Sequence, residues 1–237
     1  MKYELTNEKK VFCGKELYRI RCVRSFGNIK LGDLGGFIEK VENLSHSGLS
    51  WVSGNAQVSG NAQVSGNARV YGTARVYGNA QVYGNARVYG TARVSGNAQV
   101  YGNARVYEDA RVSGNARVYG NAQVYGNARV YEHAYVSGTA QVYGNARVYG
   151  NALVYGTTTL KTSDIEKTTD YISITTNPYD ITITTCEINV GCQNFTPDVL
   201  LRDIEFFTDS FDIEVVDVEC IKGLCEVSLA VLLTRVS

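Results

Sequence analysis

Between positions 51 and 156 the chain is nearly without acidic side chains: Glu108, Asp109 and Glu132 stand against nine arginines. The whole chain has two histidines, His46 and His133, and six cysteines, none in a C-x-x-C pair. Each scarcity removes a function class. Cys13, Cys22, Cys186, Cys192, Cys220 and Cys225 lack metal-ligand spacing, and no EF-hand or aspartate-rich run appears, so no metal and no cofactor is expected. No apolar run reaches membrane-spanning length, and the mixed polar opening Met1-Lys2-Tyr3-Glu4 does not read as a secretory leader. The expectation is a cytoplasmic protein with free, buried thiols and no membrane partner. Threonine in the array is sporadic, at 73, 91, 139 and 157, so no face carries a regular threonine file of the ice-binding kind.

What fills the space is one six-residue unit, Ala-Arg/Gln-Val-Tyr/Ser-Gly-Asn, repeated without insertion or deletion. Valine occupies every sixth position from Val52 to Val154, eighteen in one register; alanine keeps the same step from Ala56 to Ala152. Within a unit, Ala and Val fall on one side of an extended chain and Arg/Gln and Tyr/Ser on the other. Gly-Asn then supplies a corner, glycine through its access to positive φ and asparagine through its tolerance of that region. A helix would smear the valines around its axis and meet a glycine every sixth residue.

Identical short strands joined by identical corners coil into a solenoid, because one unit cannot bury its own apolar side. Three sides per coil make 18 residues per turn, and the eighteen units give about six coils, roughly 30 Å long at strand spacing. The bore holds only Ala and Val, so stability comes from stacking many coils and capping both ends.

The A-x-V step of six with Asn at the corner resembles the hexapeptide-repeat, left-handed parallel β-helix family. The left hand, and trimers as the common assembly, are what that resemblance implies. Tyr or Ser directly after Val departs from the family's usual Gly or acidic residue. The run from KYEL through GDLGGFIEK and NLSHSGLSWV into the array is similar to uncharacterised bacterial and prophage-encoded proteins of the YdcK type. Transferase labels in that group rest on the repeats alone, an analogy of fold. Acyltransferases of the hexapeptide family set a catalytic His at a subunit cleft beside a protruding loop. This array has no loop insertion. Only Glu132-His133 brings a carboxylate and an imidazole together on the rod, and no catalytic residue is assigned.

Three regions follow: a β cap over residues 1–50, the repeat array over 51–160, and an acidic α+β region over 161–237. Charge is uneven, at +3 for residues 1–50, +6 for 51–156 and −9 for 157–237. In the cap, strands surround turns at Asn7-Glu8 and Cys13-Gly14-Lys15; Leu17, Ile20, Cys22 and Val23 supply apolar contacts, and Phe37 and Trp51 plug the first coil. Beyond the array, strands are expected at 171–175, 181–184 and 188–190, a helix from Thr196-Pro197 to about Thr208, and a partly helical segment from about 216.

Every eighteenth residue shares a column. The first face sets Arg69, Arg87 and Arg105 beside an unbroken file of Tyr71, Tyr89, Tyr107, Tyr125 and Tyr143. The second carries Arg75, Arg93, Arg111, Arg129 and Arg147. These two files are the candidate binding surface, for an anion through arginine and for bases or sugars through tyrosine. The third face, with Tyr83, Tyr101, Tyr119, Tyr135, Leu153 and Tyr155, is the candidate self-association surface, giving a dimer or trimer, with docking of the C-terminal region as its rival. The function expected is a non-catalytic binding or scaffolding protein, a phage-type accessory factor that engages a host protein or sequesters an anionic ligand. Nucleic acid is a less favoured partner; an acyltransferase and a structural spacer are the alternatives.

Overall fold

The computed structural model describes residues 1–161, 164–165, 171–175, 180–184, 188–190 and 193–195. The array is a parallel β-solenoid. Arg93 pairs with Arg111 and Val94 with Val112, so each coil takes 18 residues. The bonds between coils repeat without change: Arg93 N–H donates to Ala110 O at 2.9 Å, Ser95 N–H to Val112 O at 2.9 Å, and Asn97 N–H to Gly114 O at 2.8 Å. Strands of two residues suffice, because each alternate backbone donor finds a carbonyl one coil on. Every array valine and alanine is fully buried.

The three faces are three sheets, and they place the arginine and tyrosine columns as the eighteen-residue register requires. The sheet of the first face has seven strands, from Trp51–Val52 to Thr159–Leu160. The solenoid thus has about seven turns, not six. Leu160 and Ile165 continue the aliphatic bore below the last valine, and Ile38 and Leu44 continue it above the first. The same residues move both expected boundaries. The second sheet already contains β3 (Leu34–Ile38), paired in parallel with Gln57–Val58, and it ends at Asp164–Ile165.

The cap is built on that sheet. β1 (Tyr3–Phe12) and β2 (Lys15–Cys22) form an antiparallel hairpin, and β2 pairs with β3. Positive φ at both Cys13 (49°) and Gly14 (75°) makes its turn type I′, matched to strand twist. Asn7-Glu8 is not a turn: β1 runs through it, and the register slips between Leu5 and Lys9 as a bulge. Leu17, Ile20 and Cys22 are buried as expected and Val23 half so, whereas Cys13 is exposed at the hairpin tip. The other four cysteines lie outside the described residues. Trp51 and Phe37 are buried, Trp51 beneath the rings of Tyr3 and Phe26. Lys2 is buried too; its ammonium donates to Ser50 O at 2.7 Å and Ser50 Oγ at 3.1 Å, and burial pulls its pKa down to about 8.

Each corner is a four-residue turn. Ala98 N–H returns to Ser95 O at 3.3 Å, with φ of 66° at Gly96 and no positive φ at Asn97, which is the type II′ pattern. Asparagine therefore does not take the positive φ that the sequence suggested. A Cβ on Gly96 would lie 3.0 Å from Gly114 N and O, so coil stacking as well as φ demands glycine. Farther on, Tyr171–Thr175, Asp180–Thr184, Ile188–Val190 and Gln193–Phe195 form an antiparallel sheet of their own, which agrees with the three strands expected. Both expected helices lie outside the described residues.

Because each coil bonds only to its neighbours, removing one whole coil removes stability without removing the fold. Deletion of residues 93–110 should leave a β-rich protein with a single urea transition at lower midpoint and smaller m-value. Deletion of nine residues within the array should abolish the cooperative transition. Circular dichroism during urea titration checks both.

Candidate anion-binding face

The strands at Arg75, Arg93, Arg111, Arg129 and Arg147 place five guanidinium groups in one file, one coil apart, because their valine neighbours are locked in register. The file is not uniform. Phe12, at the tip of the cap hairpin, lies 4.9 Å from the Arg75 guanidinium and meets Tyr77 edge to face, so the cap covers the upper end. Arg93, Arg111, Arg129 and Arg147 are exposed. Among the described residues the ion pairs are Lys9–Glu16, Lys15–Glu39, Arg19–Glu8 and Arg21–Glu4, all in the cap. None neutralises an array arginine. Like charges stacked at about 5 Å repel, which makes an anion lying across them favourable.

One edge of this face carries two further files. The first is a ladder of side-chain amides: Lys40 Nζ donates to Asn61 Oδ1 at 3.1 Å, Asn61 Nδ2 to Asn79 Oδ1 at 3.2 Å, Asn79 to Asn97 at 2.9 Å and Asn97 to Asn115 at 2.9 Å. His133 closes it, with Nδ1 3.5 Å from Asn115 Nδ2. Asn67, Asn85, Asn103 and Asn121 form a second ladder on another edge. Sequence reasoning gives asparagine a backbone role and misses these ladders; the signal that finds them is Asn recurring every eighteenth residue.

The second file is the glycine N–H at each corner. Glu39 accepts the Gly60 amide at one end of this edge, and Glu132 accepts the Gly150 amide at 2.9 Å near the other. On a neighbouring edge Glu108 accepts the Gly126 amide at 2.8 Å. Against the cost of partial burial, the Gly60 amide and the Lys15 ammonium hold the Glu39 carboxyl below its usual range. Between these ends, Gly78, Gly96 and Gly114 are exposed, and their N–H groups meet no acceptor among the described residues.

A family model, the YdcK beta solenoid repeat, matches residues 62–78, 80–96, 98–111, 110–123, 122–138 and 140–156. The array is a YdcK-type β-solenoid. No curated protein matches the chain. The six matched segments of the YdcK-type array hold the exposed arginines and the open glycine amides, and they stop short of the cap.

On the first face of this solenoid the tyrosines use their ring faces on one another. Tyr71, Tyr89, Tyr107, Tyr125 and Tyr143 stack at centroid spacings of 4.8 to 4.9 Å and within 7° of parallel. Their edges face outward, so the file does not present the faces that base or sugar stacking needs. At its upper end Ser53, Arg69, Tyr71, Arg87 and Asn28 line a shallow depression of about 460 Å³. On the third face Tyr83, Tyr101 and Tyr119 stack likewise, and Arg117 lies 5.4 Å over Tyr135. Leu153 and Tyr155 are 43% and 57% exposed. His46 belongs to the cap: its ring stacks on Tyr3 at 4.4 Å, and Lys2 N–H donates to its Nδ1 at 3.3 Å. Among the described residues no three His, Cys, Asp or Glu side chains converge to hold a metal ion, and no helix is long and apolar enough to cross a membrane.

Glu108 and Glu132 stand where the pattern puts glycine, with φ of 56° and 59°. That conformation costs a non-glycine residue about 1 kcal/mol, and the bond from each carboxylate to the next coil returns a similar amount. Glu132→Ala keeps the strain and loses the acceptor, so it should lower unfolding free energy by about 1 kcal/mol. Glu132→Gly should be close to neutral; urea denaturation separates the two.

Burial, then repulsion by neighbouring phenolates, raises the pKa of Tyr89 and Tyr125, and pushes Tyr107 up to about 12. A raised pKa means the native state holds its proton more tightly than the unfolded chain. This contribution to stability is complete below the ordinary tyrosine value of about 10 and is lost as pH rises toward 12. Absorbance at 295 nm should show a late-titrating group of tyrosines, with Tyr107→Phe removing part of the last phase.

Proposed function

We propose that the protein is a non-catalytic scaffold that holds an anionic partner along the arginine file of its second face. The observation that carries this reading is the run of exposed guanidiniums at Arg93, Arg111 and Arg129, stacked in register with Arg147 below them and with none of the ion pairs among the described residues reaching these three. A monomeric rod would gain nothing from such a column, because adjacent charges oppose the stacking that holds the coils together. The partner class is a host protein with an acidic surface or a smaller anion held out of solution.

The acyl-transfer alternative has little to build on. Glu132 is engaged by the Gly150 amide and His133 by the Asn115 amide, so the two side chains face separate partners. A general base needs an orienting partner and a substrate pocket beside it.

Retention on an immobilised polyanion tests the reading. The wild-type chain should bind heparin resin at low salt and elute with a salt gradient. A variant with Arg93, Arg111, Arg129 and Arg147 all changed to Gln keeps a residue the array already uses at this register. At roughly 0.5 kcal/mol for each exposed pair, its affinity should fall about thirtyfold. Identical elution of the two proteins would remove the arginine file as a binding surface.

A further inference from the structure

The arginine file has a break beside it. Where other coils place tyrosine after valine, Ser95 and Ser113 follow Val94 and Val112. The rings of Tyr77 above and of Tyr131 and Tyr149 below, the last two stacked at 5.2 Å, bound a notch two coils tall. One wall is Arg93 and Arg111, and the opposite wall is the corner edge at Gly96 and Gly114. At 95 and 113 a serine hydroxyl takes the place of a tyrosine ring, beside the exposed Gly96 and Gly114, whose N–H groups meet no acceptor among the described residues.

The chain itself shows what such amides take. On this one edge Gly60 is filled by the carboxylate of Glu39 and Gly150 by that of Glu132. Glu39 directly follows β3 and Glu132 occupies the corner one coil before Gly150, and both acceptors are carboxylates. Gly96 and Gly114 are the same turn, with φ of 66° at each, and they stand open between the filled positions. An arginine three residues before each of these glycines adds a fixed positive charge that Gly60, with Gln57 at that place, lacks.

We infer, resting on the anion-binding reading above, that this notch takes the carboxylates of an extended acidic polypeptide. Arg93 and Arg111 pair with its charge, and the Gly96 and Gly114 N–H groups donate to its carboxylate oxygens, as the Gly60 and Gly150 amides do to Glu39 and Glu132. Carboxylates on a flexible peptide can meet donors one coil apart, and two amide–carboxylate bonds give a register that charge alone would not. The ring faces that single-stranded nucleic acid would need are occupied on the neighbouring tyrosine files.

The test uses the full chain, a hexaglutamate peptide, and a short single-stranded oligonucleotide as the competing polyanion. Two-dimensional ¹H–¹⁵N spectra read the glycine amides directly, and calorimetry reads affinity. The peptide should move the Gly96 and Gly114 amide protons downfield and leave Gly84 and Gly102, on another edge, in place. Ser95→Tyr with Ser113→Tyr changes no charge and installs the residue the array uses elsewhere. It should weaken the peptide about tenfold, as should Arg93→Gln with Arg111→Gln.

If the double tyrosine variant binds the peptide as well as wild type, or the two amides stay in place, the carboxylate notch is wrong while the arginine file still stands. If the oligonucleotide binds through the arginines and the peptide does not, the partner class is overturned in favour of phosphate. If neither probe binds, both this inference and the function it rests on fall.

Discussion

The hydrogen bond from each alternate backbone N–H to the carbonyl seventeen residues on constrains everything else in this molecule. It sets the distance between coils at the spacing of strands in a sheet. At that distance the repeats fill the bore with Ala and Val, a Cβ at most corners would press on the backbone of the coil below, and a side chain standing outward meets the residue eighteen places on, most often its own kind. Identity between coils then has chemical consequences. Asparagine above asparagine becomes a hydrogen-bonded ladder, tyrosine above tyrosine a stack, and arginine above arginine an unrelieved column of charge. The first two stabilise the rod that carries them. The third does not, and that asymmetry directs attention to the second face.

Much of the fold was open to inspection in the sequence because its cause is local and periodic. Val every six residues with Gly at a constant offset leaves strand and corner as the consistent reading, and the face columns follow by counting. What escaped is what counting cannot supply. Whether Asn97 serves its own backbone or reaches Asn115 depends on the distance between two side chains in successive coils. Glu108 and Glu132 looked like breaks in the pattern; each keeps the turn and uses its carboxylate on the next glycine amide. The count of coils was low by one because Ile38, Leu44, Leu160 and Ile165 continue the bore without belonging to the repeat.

The candidate site was legible to a lesser degree. The arginine and tyrosine files sit where the register puts them, yet their accessibility is set by contacts that no periodicity encodes. The cap hairpin lays Phe12 against Arg75 and Tyr77, and so shortens the accessible file. The tyrosines turn their faces to each other, which changes them from a surface for flat ligands into a rib. The serines at 95 and 113 read as ordinary variation until the open amides behind them come into view.

Three sheets sharing one thread also tie the number of units to direction. Each unit advances the chain by one side, so a protein with one unit more or fewer would carry its last strand about 120° further round the axis. Here β3 and Asp164–Ile165 begin and finish the same wall, the one that bears the arginines. The length of the array is thereby an angular setting, and whatever the two extremities of the rod present, they present on the same meridian.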